Sequence, residues 1–212
     1  MSGDGRYVAL ISQGRLVSAD TNDLRDVYVL DRATGSVALE SLAPDGRAST
    51  EDGDHPALSH DGRFLVYESG DRIVWRDRVD AVTTTLAAGR GPVISTDGRS
   101  VAFTSADGLM LFDVATHTMQ NASVDLDGRS VPNASGTPSL SGDGRRSADV
   151  FLRNLVNGSI ELVSRNARGE AGNGASGRPA VSVDGRFVAF QSEAARRSTR
   201  QAAWWRFRRA TR

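Results

Sequence analysis

The first place to look for chemistry is Ser59-His60-Asp61, which sets a hydroxyl, an imidazole and a carboxylate side by side. Nucleophilic hydrolysis needs those groups brought together in space, with the serine on a strained Gly-x-Ser-x-Gly elbow. No such elbow occurs in the 212 residues, and three consecutive residues on a strand and turn point in different directions. The other histidines, His55 and His117, are dispersed, and none has a partner at metal-ligand spacing such as His-x-x-x-His. Cysteine is absent, which excludes disulfide scaffolds, thiolate zinc sites and cysteine nucleophiles. No residue is assigned a catalytic role.

One segment offers hard oxygen ligands. Asp20, Asn22 and Asp26 lie close together in a polar stretch, and calcium is the cation such a set would accept. The EF-hand pattern is not met, since no glycine stands at its sixth position and no glutamate closes the loop. Asx turns would order the same residues without an ion, so the expectation from sequence is no cofactor and little response to calcium.

Charge is balanced, with 26 arginines and no lysine against 26 acidic residues. The balance hides an asymmetry: residues 193–212 hold seven arginines and one acid, interleaved with Trp204, Trp205 and Phe207. These aromatics do not gather opposite the arginines at helical spacing, so the tail is read as carrying no repeat similarity, and nucleic acid is not expected as a partner. Asn121-Ala-Ser123, Asn133-Ala-Ser135 and Asn157-Gly-Ser159 match glycosylation acceptors, but turn composition accounts for them. No apolar run is long enough for a signal peptide or a membrane span, which gives a cytoplasmic location as the default expectation.

The elements that must position these residues are written in a repeat. Pro-x-apolar-Ser-x-Asp-Gly-Arg appears at Pro56–Arg63, Pro92–Arg99, Pro138–Arg145 and Pro179–Arg186, and its tail at Ser2–Arg6. The turn pairs are Asp4-Gly5, Asp61-Gly62, Asp97-Gly98, Asp143-Gly144 and Asp184-Gly185, at periods of 57, 36, 46 and 41 residues. Asp-Gly between alternating apolar runs predicts a hairpin, because glycine accepts the positive φ of a tight turn. After each turn a strand is expected, such as Tyr7–Ile11 or Phe64–Tyr67. A second strand ending in Asp or Asn follows, and four residues beyond it stands Gly35, Ala81, His117 or Gly158, placed for a left-handed turn. With an outer polar strand and the Pro-x-apolar-Ser strand, each unit has four strands. Four antiparallel strands per 40–45 residues make a β-propeller blade.

The stretch Asp26-Val-Tyr-Val-Leu-Asp-Arg-Ala-Thr-Gly35, with the recurring Ser-x-Asp-Gly-Arg phrase, resembles the TolB-like, WD-repeat-like propeller repeats of bacterial proteins. The resemblance covers about residues 1–192. It implies an all-β propeller of about four to five blade units, and relatives that are often periplasmic or exported. Units are expected at about 1–54, 55–91, 92–136, 137–177 and 178–192. Only the second and third read as complete. The fourth has just Arg146-Ser-Ala148 where the others carry a buried strand, and is read as having lost it. The propeller is therefore expected to be incomplete or open.

The function this implies is non-catalytic: a binding or scaffold module for a protein or small ligand on the propeller face, with self-association through open edges. The alternatives are the accessory propeller of a prolyl-oligopeptidase-like peptidase lacking its catalytic domain, or an inactive truncated product.

Overall fold

The computed structural model describes residues 1–123, 146–148, 151–154, 159–163, 176–182, 184–185, 187–192 and 204–209. Asp143, Gly144 and Gly158 lie outside them. The described elements are all strands, and they form five antiparallel sheets in chain order.

The first sheet has β1 (Tyr7–Ser12), β2 (Asp26–Asp31) and β3 (Ser36–Leu39). The second is a full meander of β4 (Gly53–Leu58), β5 (Phe64–Ser69), β6 (Arg72–Asp77) and β7 (Val82–Ala88). The third repeats it with β8 (Arg90–Ile94), β9 (Ser100–Ser105), β10 (Gly108–Asp113) and β11 (Thr118–Asn121). The fourth pairs β12 (Arg146–Ala148), β13 (Phe151–Asn154) and β14 (Ile160–Leu162). The fifth pairs β15 (Ser176–Val181), β16 (Phe187–Ser192) and β17 (Trp204–Arg209). The architecture is an incomplete propeller of antiparallel blades.

Two readings from sequence change here. The fourth unit keeps its post-turn strand, shortened to the three residues of β12, because Arg146 pairs Asn154 in the register in which Phe64 pairs Asp77. Residues 204–209, read as a tail, form a strand whose Arg209 pairs Phe187 in that same register. Their composition hid this, since no closing aspartate marks the strand end.

Alternation along each strand sends successive side chains to opposite seams. Val27 and Val29 of β2 pack against Leu65, Tyr67 and Val74 of the second sheet. Val66, Ile73 and Trp75 on its other face pack against Val101, Phe103 and Phe112 of the third. Fully burying one such side chain contributes roughly 1.5–3 kcal/mol, so the seams hold neighbouring blades together.

The repeat phrase builds its turn from side chains. Ser59 Oγ donates to Asp61 Oδ1 at 2.6 Å and accepts from the Phe64 amide at 2.9 Å, while Asp61 Oδ1 accepts the Arg63 amide at 3.0 Å. Ser2-Asp4, Ser95-Asp97 and Ser182-Asp184 make the same hydroxyl–carboxylate bond. Gly5, Gly62, Gly98 and Gly185 all have positive φ, as do Gly35, Ala81 and His117 at the second turn. Glycine at 62 and 98 serves a further purpose. A Cβ on Gly62 would lie 2.3 Å from the Tyr7 ring, and one on Gly98 would lie 2.0 Å from the Phe64 ring. Each aromatic that follows one turn thus covers the glycine of the next.

Equivalent turn residues are also joined through their backbones. Gly3 N donates to His60 O at 2.7 Å, and His60 N donates to Thr96 O at 3.0 Å. This links the first three turns in series at one end of the blades.

Candidate functional site

Antiparallel strands place the Asp-Gly turns at one end of the blades and the starts of β4 and β8 at the other. The two starts are built alike. Gly53-Asp-His-Pro56 and Gly89-Arg-Gly-Pro92 occupy equivalent repeat positions, and both strands carry a bulge there. His55 (φ 47°) and Gly91 (φ 61°) are the left-handed residues at those bulges. Such a φ is uncommon outside glycine, although histidine is among the residues enriched there. Bulges re-aim side chains, and strained backbone of this kind clusters at binding sites.

The re-aimed groups converge on Glu68 of β5. Its side chain is 4% exposed, whereas those of His55 and Arg90 are 63% and 73% exposed. Glu68 Oε1 accepts the Gly91 amide at 2.6 Å and lies 3.1 Å from His55 Nδ1. Arg90 reaches Glu68 Oε2 at 3.5 Å. Asp54 stands 3.6 Å from the same imidazole and is paired with Arg25 at 2.9 Å. One buried carboxylate therefore ties two innermost strands together and holds a histidine and an arginine outward at the blade mouth. The signal for it in the sequence was small: Gly91-Pro92 and His55-Pro56, each a residue held before a proline, mark the bulges.

The residues singled out from sequence are placed as follows. Ser59 is buried, and its hydroxyl is committed to Asp61 and the Phe64 amide, so it is a turn residue and has no free nucleophile to offer. Asp20, Asn22 and Asp26 do come together, around the β1–β2 connection. Asp20 Oδ1 accepts the Asn22 amide at 3.2 Å and Asn22 Oδ1 accepts the Leu24 amide at 2.8 Å, which are Asx turns. Asn22 Nδ2 reaches Ser49 O at 3.0 Å, tying this connection to the segment that leads into β4. Tyr28 donates its hydroxyl to Asp20 Oδ2, and burial, with that bond and the nearby carboxylates, pushes it up to about 12.

At the turn end, the Arg of the repeat phrase grips the aspartate that closes the second strand. Arg6 bonds Asp31 at 2.7 and 3.0 Å and holds its carboxyl down at about 2. Arg63 bonds Asp77 at 2.6 Å; burial works to raise the Asp77 carboxyl, but Arg63 and two backbone amides leave it below the usual range. These pairs hold the turns rather than face a ligand.

Among solved structures, the chain is similar to TolB from Acinetobacter baumannii, with a TM-score of 0.54 and 16% identity over 91% of this chain and 50% of that one. It is similar to a candidate TolB from Agrobacterium tumefaciens, with a TM-score of 0.53 and 16% identity over 80% of this chain and 62% of that one. It also matches an oligogalacturonate lyase from Vibrio parahaemolyticus at a TM-score of 0.50 and 16% identity, over 79% and 52% of the two chains. No protein-family model and no curated protein sequence matches. The fold is that of a TolB-like β-propeller, and the chain spans 50–62% of the length of these neighbours. Among the described residues no helix is long and apolar enough to cross a membrane.

Proposed function

We propose that this chain is a non-catalytic propeller module that binds a protein or small ligand on the face where its innermost strands begin. The observation that carries the reading is the mouth cluster. His55 and Arg90 stand largely in solvent over a buried Glu68 that bridges two blades. The bulge at His55 holds its imidazole outward, and a binding surface needs polar groups held rigidly outward. Open sheet faces additionally favour self-association of the chain.

A photoreactive residue placed at position 90, at the mouth, or at position 32, at the turn end, tests the reading. Saturable adducts from position 90 that fade in a His55→Ala variant, with none from position 32, support it. Equal labelling from both positions, or none from either, contradicts it.

A further inference from the structure

Among the described residues, Asp20 and Asp26 are buried carboxylates without an ion-pair partner. Asp26 is 0% exposed and Asp20 is 3% exposed. Many other carboxylates of the first two sheets find arginines, such as Asp31 with Arg6, Asp52 and Asp54 with Arg25, and Asp77 with Arg63. Among the described residues, neither Asp20 nor Asp26 makes an ion pair with any arginine or histidine. Asp26 Oδ1 accepts the Ser41 hydroxyl at 2.5 Å, but its Oδ2 is buried and accepts no hydrogen bond. A buried charge without a counter-charge is costly, and the molecule must neutralise it with a proton or with a cation.

We propose that the Asp20–Asn22–Asp26 segment holds a hard, oxygen-seeking cation of the calcium class, anchored on the open Oδ2 of Asp26. A proton on that oxygen would become a buried donor and would itself require an acceptor, whereas a cation takes the lone pair directly. It would also offset the charge of Asp20. Two carboxylates and one amide fall short of a three-acid cluster, and the described residues contain no group of three or more acids, histidines or cysteines suited to a metal. Backbone carbonyls and water would complete the shell. So few charged ligands set the affinity at the weak end for calcium modules, a dissociation constant of about 10⁻⁴–10⁻³ M. The Asn22–Ser49 bond carries the effect of the ion to the segment entering β4, so binding would stiffen one rim of the mouth. This inference does not depend on the binding role proposed above.

Terbium serves as the probe, because the Tyr28 hydroxyl bonds Asp20 and its ring can sensitise lanthanide emission. The full 212-residue chain should give saturable emission on tyrosine excitation, displaced by calcium. Asp26→Asn should abolish it, while Asp23→Asn, at an exposed position nearby, should not. Calcium at 100-fold its dissociation constant should raise the melting temperature by about 5–10 °C. Circular dichroism establishes that Asp26→Asn is folded; if it is not, Asp20→Asn replaces it. Absence of saturable emission and of any calcium effect on melting would overturn the proposal and assign the buried charge to a proton. Emission that survives in folded Asp26→Asn, or in Asp20→Asn where that variant replaces it, would overturn it equally.

Discussion

Glu40, at the end of the first sheet, accepts a 2.8 Å hydrogen bond from the Nε of Arg76 in β6, across the seam between the first two blades. Both side chains are buried, and Arg78 adds a second bond to the same carboxylate at 2.7 Å. Arg76 also reaches Thr83 Oγ1 at 2.7 Å, and Arg78 reaches Gly62 O at 2.6 Å. The network is well satisfied, so its loss should be felt on one side only. Removing Glu40 leaves two arginines without their anion, and Glu40→Ala should destabilise the chain by about 3–5 kcal/mol. Replacing Glu40 and Arg76 together by leucine should cost much less than the sum. A double-mutant cycle by denaturant melts measures the coupling, and additive effects would show that the seam does not depend on the pair.

Acid should unfold this protein in a defined window. Asp31 titrates at about 2 in the fold, and Asp4, Asp61, Asp77 and Asp113 are also lowered. A carboxyl with a depressed folded pKa contributes stability above its unfolded value of about 3.9, and that contribution is lost as pH falls through the folded value. Asp26, which is raised, acts in the opposite sense. Thermal midpoints should therefore be flat between about pH 7 and pH 5 and fall steeply from about pH 4 to pH 2. Arg6→Gln should move the Asp31 carboxyl back toward its ordinary value in a carboxyl titration. A midpoint that rises steadily toward pH 3 would contradict the assignment.

Two glycines separate backbone strain from crowding at the seam. Gly35 and Gly98 have φ of 74° and 75°, but a Cβ on Gly35 meets nothing within 4 Å, while one on Gly98 meets the Phe64 ring. Gly35→Ala should cost about 1–2 kcal/mol, the price of a left-handed alanine. Gly98→Ala should cost about 1–3 kcal/mol more, from displacing the ring. Equal costs in denaturant melts would mean that Phe64 does not rest on the turn.

How much of this was legible in the residues follows from what each feature depends on. Asp-Gly turns, strand alternation and the left-handed positions 35, 81 and 117 are local, and they were readable from residue type and spacing. The short β12 and the strand at 204–209 were not, because pairing with a neighbour defines them and their composition does not. The mouth cluster was invisible for a similar reason: Glu68, Arg90 and His55 are far apart in sequence and meet only when β4, β5 and β8 stand side by side. Asp20, Asn22 and Asp26 were recognised as ligand types, but their burial and lack of arginine partners are tertiary facts.

Self-association should follow from the outer face of the first sheet. The pairings Val8–Leu30 and Leu30–Val37 put these half-buried side chains, with Leu10, on the face turned away from the second sheet, where Tyr28 and Leu39 are already buried. The equivalent face of the second sheet, carrying Leu65, Tyr67 and Val74, is covered by the first. Size-exclusion chromatography with light scattering should show concentration-dependent oligomers, reduced by Leu30→Asp. A monomer at every concentration would show that the face needs no cover.

Stitching between equivalent turns adds backbone bonds to the apolar seams that join the blades, and amide hydrogen exchange reads it directly. The Gly3 and His60 amides bond His60 O and Thr96 O of the next turns, at 2.7 and 3.0 Å. If the blades are joined as described, these two turn amides should exchange as slowly as those of the buried strand residues Val66 and Tyr67, near the global unfolding limit. Exchange at the rate of an unstructured peptide, while the strand amides stay protected, would contradict the blade assembly.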